Sequence, residues 1–156
     1  MVAIDSDIFV VVERYQRDPR YPAARALLDV LQSHGTPRAT TVFNFYEICG
    51  VLSFNLSQGQ LNTFHGDFAA DYDLQVLYPH LGWRLGRRSL RRLLEKAWVV
   101  LSRKVCFRDA LVICTLDDHC RVSAFVTWNA RHFVGKTRLN VLTPEEYLAT
   151  HGDPTS

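Results

Sequence analysis

Four polar residues of this 156-residue sequence stand where chemistry could be done: Asp5, Glu47, Asp109 and Asn129. Asp5 follows the short apolar run Val2-Ala3-Ile4. Glu47 interrupts the apolar stretch Phe43-Asn44-Phe45-Tyr46-Glu47-Ile48-Cys49, where an unpaired buried charge is expensive. Asp109 lies at the opening of a helical segment, and Asn129 directly follows a strand-like one. Three carboxylates held within a few ångströms repel one another, and one or two would take up protons at neutral pH. A hard divalent cation removes that penalty. Mg²⁺, with Mn²⁺ as a substitute, suits oxygen donors best. Such an ion activates a water and offsets charge on a phosphoryl group during an in-line displacement. Taken singly, each residue has a plainer reading. Asp5 or Asp7 alone would cap the first helix, and for Asp7, which partly does that job, capping is favoured over metal binding. Asp109 would complement a helix dipole, and Asn129 would be a turn residue. Taken together, at successive strand ends, they point to one site.

For these residues to meet, the chain must place them at one end of a sheet. The hydrophobic periodicity predicts strands at 2–4, 38–42, 74–77, 123–127 and 139–142. Between them it predicts helices over 7–14, 22–34, 44–55, 57–66, 89–104 and 107–120. In the 89–104 helix, Leu90, Leu93, Leu94, Ala97, Trp98 and Leu101 form an apolar stripe. A last helix opens at Thr143-Pro144-Glu145-Glu146, with Thr143 as cap and Glu146 completing a capping box. Alternating strands and helices imply an α/β sandwich with a mainly parallel sheet. In open sheets of that kind, ligands bind outside the carboxyl ends of the strands. Asp5 and Asn129 fall there directly, and Glu47 and Asp109 in the first turns of nearby helices.

Apolar residues make up 47% and charged residues 22% of the chain, a globular balance and not a disordered one. The length fits one domain, residues 1–150, with 151–156 as a frayed tail. No apolar run approaches membrane-spanning length, so no membrane partner is expected. No basic region followed by a cleavage site opens the chain, so the expected location is cytoplasmic. Cys49, Cys106, Cys114 and Cys120 form no C-x-x-C pair and read as free thiols of a reducing compartment. The formal net charge of +2 conceals an asymmetry. Residues 84–104 carry eight lysines and arginines against Glu95 alone, and the rest of the chain is acidic. That split suggests an anionic partner. Arg84, Arg87 and Arg88, in a segment marked by Gly82 and Gly86, are candidates for contacting phosphates. Trp83 and Trp128 are candidates for stacking on a base, with core burial favoured for Trp128.

Five segments, in order, resemble the PIN-domain family of metal-dependent ribonucleases, in particular its small VapC-type toxins. They are Val2-Ala3-Ile4-Asp5-Ser6-Asp7-Ile8-Phe9, Thr41-Val42-Phe43-Asn44-Phe45-Tyr46-Glu47-Ile48 and Phe107-Arg108-Asp109-Ala110-Leu111-Val112-Ile113, then Val126-Thr127-Trp128-Asn129-Ala130-Arg131-His132-Phe133 and Val141-Leu142-Thr143-Pro144-Glu145-Glu146-Tyr147-Leu148. The resemblance implies a PIN-like three-layer α/β/α sandwich, often a homodimer. It implies Mg²⁺ or Mn²⁺ held by Asp5, Glu47 and Asp109, hydrolysis of RNA, and neutralisation by a cognate antitoxin protein. The family often carries an aspartate where this chain has Asn129. The amide can hold a water or a phosphate but lowers the site's charge by one, a deficit Asp7 could partly make up.

Two other readings compete. Asp5-Ser6-Asp7 also resembles the D-x-D of haloacid-dehalogenase-type phosphatases, with Asp117-Asp118 as a later acidic pair. Phe9 and the helical setting of Asp117-Asp118 count against it. The second is a non-catalytic PIN-like module that binds RNA or acts as a scaffold, to which Asn129 gives some weight.

Overall fold

A computed structural model describes residues 1–80 and 86–152 of the chain. Arg84 and Trp83 lie outside the described residues, as does the end of the tail. Five strands form one sheet in the order β3-β2-β1-β4-β5: β1 (Val2–Ile4), β2 (Arg38–Thr41), β3 (Leu74–Leu77), β4 (Ala124–Val126) and β5 (Asn140–Leu142). Seven helices are described: α1 (Ser6–Arg14), α2 (Tyr21–Ser33), α3 (Val42–Leu52), α4 (Gln58–Asp71), α5 (Arg87–Leu101), α6 (Phe107–Asp118) and α7 (Pro144–His151). Among the described residues no helix is long and apolar enough to cross a membrane.

The expected PIN-like three-layer sandwich with a mainly parallel sheet is corrected here to an α/β fold whose described strand pairs are all parallel. Even β4 and β5, which follow one another without an α-helix, pair in parallel, Ala124 opposite Asn140 and Val126 opposite Leu142. The link between them spans residues 127–139 and contains a 3-10 turn at Ala130–His132. A parallel crossover needs about a dozen residues, and this link supplies that length.

Such short strands are stabilised by being covered on both faces. Side chains alternate across a strand, so Val2 and Ile4 enter one buried cluster and Ala3 the other. The first cluster joins β1 to Ile8 and Phe9 of α1, Leu27 and Leu31 of α2, Phe45 and Ile48 of α3, and Phe68 of α4. The second joins Ala39 and Phe125 to Leu93 and Ala97 of α5 and to Ala110 and Ile113 of α6.

The apolar stripe expected on α5 is only partly buried. Leu93, Ala97 and Val100 face the core, whereas Leu90, Leu94 and Trp98 are exposed, Trp98 by 72%. The helix packs chiefly along α6, and that contact line is narrower than the stripe the periodicity draws. Arg87 and Arg88 also differ from expectation. They are not in a loop but in the first turn of α5, which Gly86 begins with extended backbone.

Candidate active site

The strand order reverses direction between β1 and β4, and the carboxyl ends of these two strands hold the polar groups. Asp5 is the residue after β1. Its amide donates to the Val126 carbonyl at 3.0 Å, which pins it between the two strands. Its carboxylate serves two elements at once. Oδ1 accepts from the Ser6 amide at 2.8 Å and so caps α1, and Oδ2 accepts from the Thr127 hydroxyl at 2.6 Å. Asp5, not Asp7, is therefore the cap, because only its backbone is extended at the helix entrance. Asp7 turns instead to the segment after β4. Its Oδ2 accepts from the Trp128 amide at 3.2 Å and lies 3.5 Å from the Asn129 side-chain nitrogen, while its buried Oδ1 has no hydrogen-bond partner among the described residues.

Glu47 comes from the second turn of α3. Ser6 Oγ donates to its Oε2, and the Arg108 guanidinium pairs with its Oε1. Ser6 Oγ also lies 3.4 Å from Asp5 Oδ1 and so stands between the two acids. Asp109 is in the first turn of α6, which Cys106 caps by accepting from the Asp109 amide at 3.4 Å. Its carboxylate is buried, with Arg108 Nη2 at 3.2 Å from Oδ1 and His132 Nδ1 at 3.8 Å from Oδ2. Asn129 follows β4, and its amide donates to Thr127 Oγ1 at 3.0 Å. One continuous polar chain thus runs from Asn129 through Asp7, Thr127, Asp5, Ser6, Glu47 and Arg108 to Asp109 and His132.

Arg87 and Arg88 do not join it. Lys96 pairs with Asp118 at 2.6 Å, so α5 runs antiparallel to α6. Arg87 and Arg88 sit at the far end of α5 from Asp109, roughly 20 Å along at 1.5 Å per residue. Trp128 is half-buried beneath the Arg20 guanidinium and donates to Glu145 at 3.1 Å. Sequence reasoning missed Ser6, Thr127 and Arg108 as partners of the acids. Ser6 and Arg108 adjoin Asp5 and Asp109 in sequence, but nothing in their spacing announces that each reaches Glu47.

Burial pushes the Asp5 carboxyl up, Asp109 adds to the rise, and Thr127, Ser6 and Arg108 pull it back. Burial and the Asp5 charge push Asp7 up to about 7, against the Trp128 and Ile8 amides and Arg20. The acids offer only oxygen donors, the kind a hard divalent cation prefers, and Asp5 and Asp7 resist ionising on their own. Arg108 already balances Glu47 and Asp109, and among the described residues no three of His, Cys, Asp and Glu stand placed to hold a metal ion. A bound ion would take over from the guanidinium. At the rim, partial burial and the neighbouring Asp109 push the Cys106 thiol up.

A raised carboxyl also sets a pH dependence. Between its ordinary 3.8 and about 7, folded Asp7 keeps a proton that the unfolded chain has lost. Stability then falls as pH rises through that window, and the loss is complete above it. In chelator-containing buffer the melting temperature is expected to drop across this range. Asp7→Asn should flatten the drop, by roughly 1–4 kcal/mol at neutral pH. A melting profile with the same slope in Asp7→Asn would assign the effect elsewhere.

Neither a protein-family model nor a curated protein matches the chain. Among the solved structures that are similar, two are complexes bound to DNA. One is VapBC2 from Rickettsia felis bound to a DNA fragment from its promoter, with a TM-score of 0.59 at 13% identity over 92% of this chain and 98% of that one. The other is FitAB bound to an IR36 DNA fragment, with a TM-score of 0.59 at 12% identity over 92% of this chain and 95% of that one. This chain shares their fold. At such identity the likeness carries the α/β architecture and not the narrower PIN-like assignment. The phosphatase reading loses its second acidic pair: Asp117 binds Thr137 and Arg138, and Asp118 is paired with Lys96.

Proposed function

We propose that the chain is a metal-dependent endoribonuclease, the toxin member of a toxin–antitoxin pair. The observation that carries this reading is the joining of Asp5, Glu47 and Asp109, from three distant segments, by Ser6 and Arg108 at the carboxyl ends of β1 and β4. The five-segment resemblance to PIN-domain ribonucleases supports it, as does the likeness to chains of the VapBC2 and FitAB complexes. Asp5, Glu47 and Asp109 would hold Mg²⁺ or Mn²⁺. When bound, the ion supplies a Lewis acid that offsets charge at the reacting phosphate. Thr127 and Ser6 orient the Asp5 and Glu47 carboxylates by donating to them, and Asn129 offers an amide for water or phosphate. A protein partner, an antitoxin or a second copy of the chain, is part of the proposal. The exposed Leu90, Leu94 and Trp98 on α5 support it, since such a patch is usually covered.

A second reading, a non-catalytic RNA-binding module, is favoured by Arg108, which already neutralises two of the acids. Single-stranded RNA incubated with the purified chain separates the two. The nuclease reading expects cleavage with Mg²⁺ that chelation stops and Glu47→Gln lowers by at least about tenfold. RNA binding without cleavage, unchanged in Glu47→Gln, would leave the module.

A further inference from the structure

Beside the acids lies a cavity of about 290 Å³ lined by Lys104, Val105, Cys106, Arg108, Asp109, Asn129, His132 and Phe133. Its chemistry differs from that of the acid cluster. Lys104 and Arg108 are cationic, His132 adds ring nitrogens and Asn129 an amide. The first turn of α6 borders it, so the positive end of that helix adds to the same field. Lys104 is held in a left-handed conformation, φ 60°, in the turn that joins α5 to α6. That conformation is costly for a side-chain-bearing residue. Lys136 Nζ lies 3.4 Å from the Lys104 carbonyl, and Arg103 donates to the Lys136 carbonyl at 3.2 Å, so neighbouring segments fix this turn. Asp109 is the one carboxylate among the described lining residues, with the Arg108 guanidinium beside one oxygen and the His132 ring 3.8 Å from the other.

We propose that this cavity is a phosphate-binding pocket, in which Lys104, Arg108, His132 and Asn129 grip a phosphate group of a nucleic-acid chain next to the acid cluster. Arg108 is shared between the two. It rests on Glu47 and Asp109 and lines the cavity, so a rotation about its side-chain bonds exchanges carboxylate partners for phosphate oxygens. Arginine suits that exchange, because its planar fork matches both groups. The volume admits a phosphate with several waters, each water taking about 30 Å³. This identifies cations beside the site that the distant Arg87 and Arg88 do not provide. As the place where substrate is held it rests on the ribonuclease reading, but phosphate binding can be measured without cleavage.

The test is an amide NMR titration of the whole chain with inorganic phosphate and with adenosine 5′-monophosphate, using adenosine as the phosphate-free comparison. Signals of residues 104–109 and 129–133 are expected to move with both phosphates and to stay put with adenosine. Arg108→Gln and Lys104→Gln should each weaken binding about tenfold, since each removes a charge-assisted hydrogen bond. Arg25→Gln, on the exposed face of α2, should change nothing. Shifts elsewhere, or unaltered affinity in both Arg108→Gln and Lys104→Gln with spectra that remain folded, would overturn the pocket. RNA cleavage by a chain whose pocket ignores phosphate sinks the pocket and leaves the nuclease. Phosphate binding in a chain that never cleaves RNA does the reverse.

Discussion

Asp5→Asn is expected to lower RNA cleavage by at least about a hundredfold while raising the stability of the chain above neutral pH. The two effects have one cause. Asp5 is buried and its carboxyl is pushed up, so its charge is held against a desolvation penalty. Asparagine keeps an oxygen for the Ser6 amide, which preserves the cap on α1, and its amide nitrogen meets Thr127 Oγ1, which can rotate to accept. What is lost is the negative charge, and a hard cation binds through charge. Loss of even a residue that only orients a metal ligand typically costs 10–100-fold, so loss of a ligand should cost no less. Cleavage rates with Mg²⁺ and melting curves at pH 8 decide it. An Asp5→Asn chain that cuts at the parental rate removes Asp5 from the chemistry. One that loses activity and also melts earlier points to damage in α1.

The second large effect is on folding. Phe68→Ala should destabilise the chain by about 3–5 kcal/mol, the usual cost of deleting a buried aromatic ring. Phe68 is the one buried residue of α4, and its ring lies 4.9 Å from that of Phe45, 5.2 Å from those of Phe9 and Tyr72, and 5.3 Å from that of Phe64. Removing it unpins α4 from α1 and α3 together. Total stability of an ordinary domain is only about 5–15 kcal/mol, so the urea midpoint should fall steeply. Phe64→Ala, at a half-buried position, should cost clearly less. Equal midpoints for the two variants would show that Phe68 is not the anchor. Cleavage should also fall in Phe68→Ala, because α3 carries Glu47.

Much of this arrangement could be read in the residues. An acid placed straight after Val2-Ala3-Ile4, and another inside the apolar Phe43–Cys49 run, are local signals, and both residues lie at the polar end of the sheet. The order of strands and helices follows the periodicity, and Asp5, Thr41, Ser57, Cys106 and Thr143 mark helix starts with side-chain caps. Four features were not legible. The pairing of β5 depends on where a 13-residue link carries the chain, which no local pattern encodes, so the sheet is more uniformly parallel than expected. The width of the buried face of α5 depends on α6, so Leu90, Leu94 and Trp98 looked like core. Asp5 and Asp7 share one sequence environment, and which of them caps α1 is decided by the backbone at the strand end. The role of Arg108 is set by tertiary contact, because its partner Glu47 lies 61 positions away in the sequence.

Thr127 donates to Asp5 across 122 positions of chain. During synthesis, then, the first acid waits on nearly the last strand. A growing chain still lacking β4 has Asp5 without its hydroxyl donor and without the strand that pins its amide. On the nuclease reading proposed above, a polypeptide ended before β4 would not cleave RNA, because Asp5 would lack both Thr127 and the Val126 carbonyl.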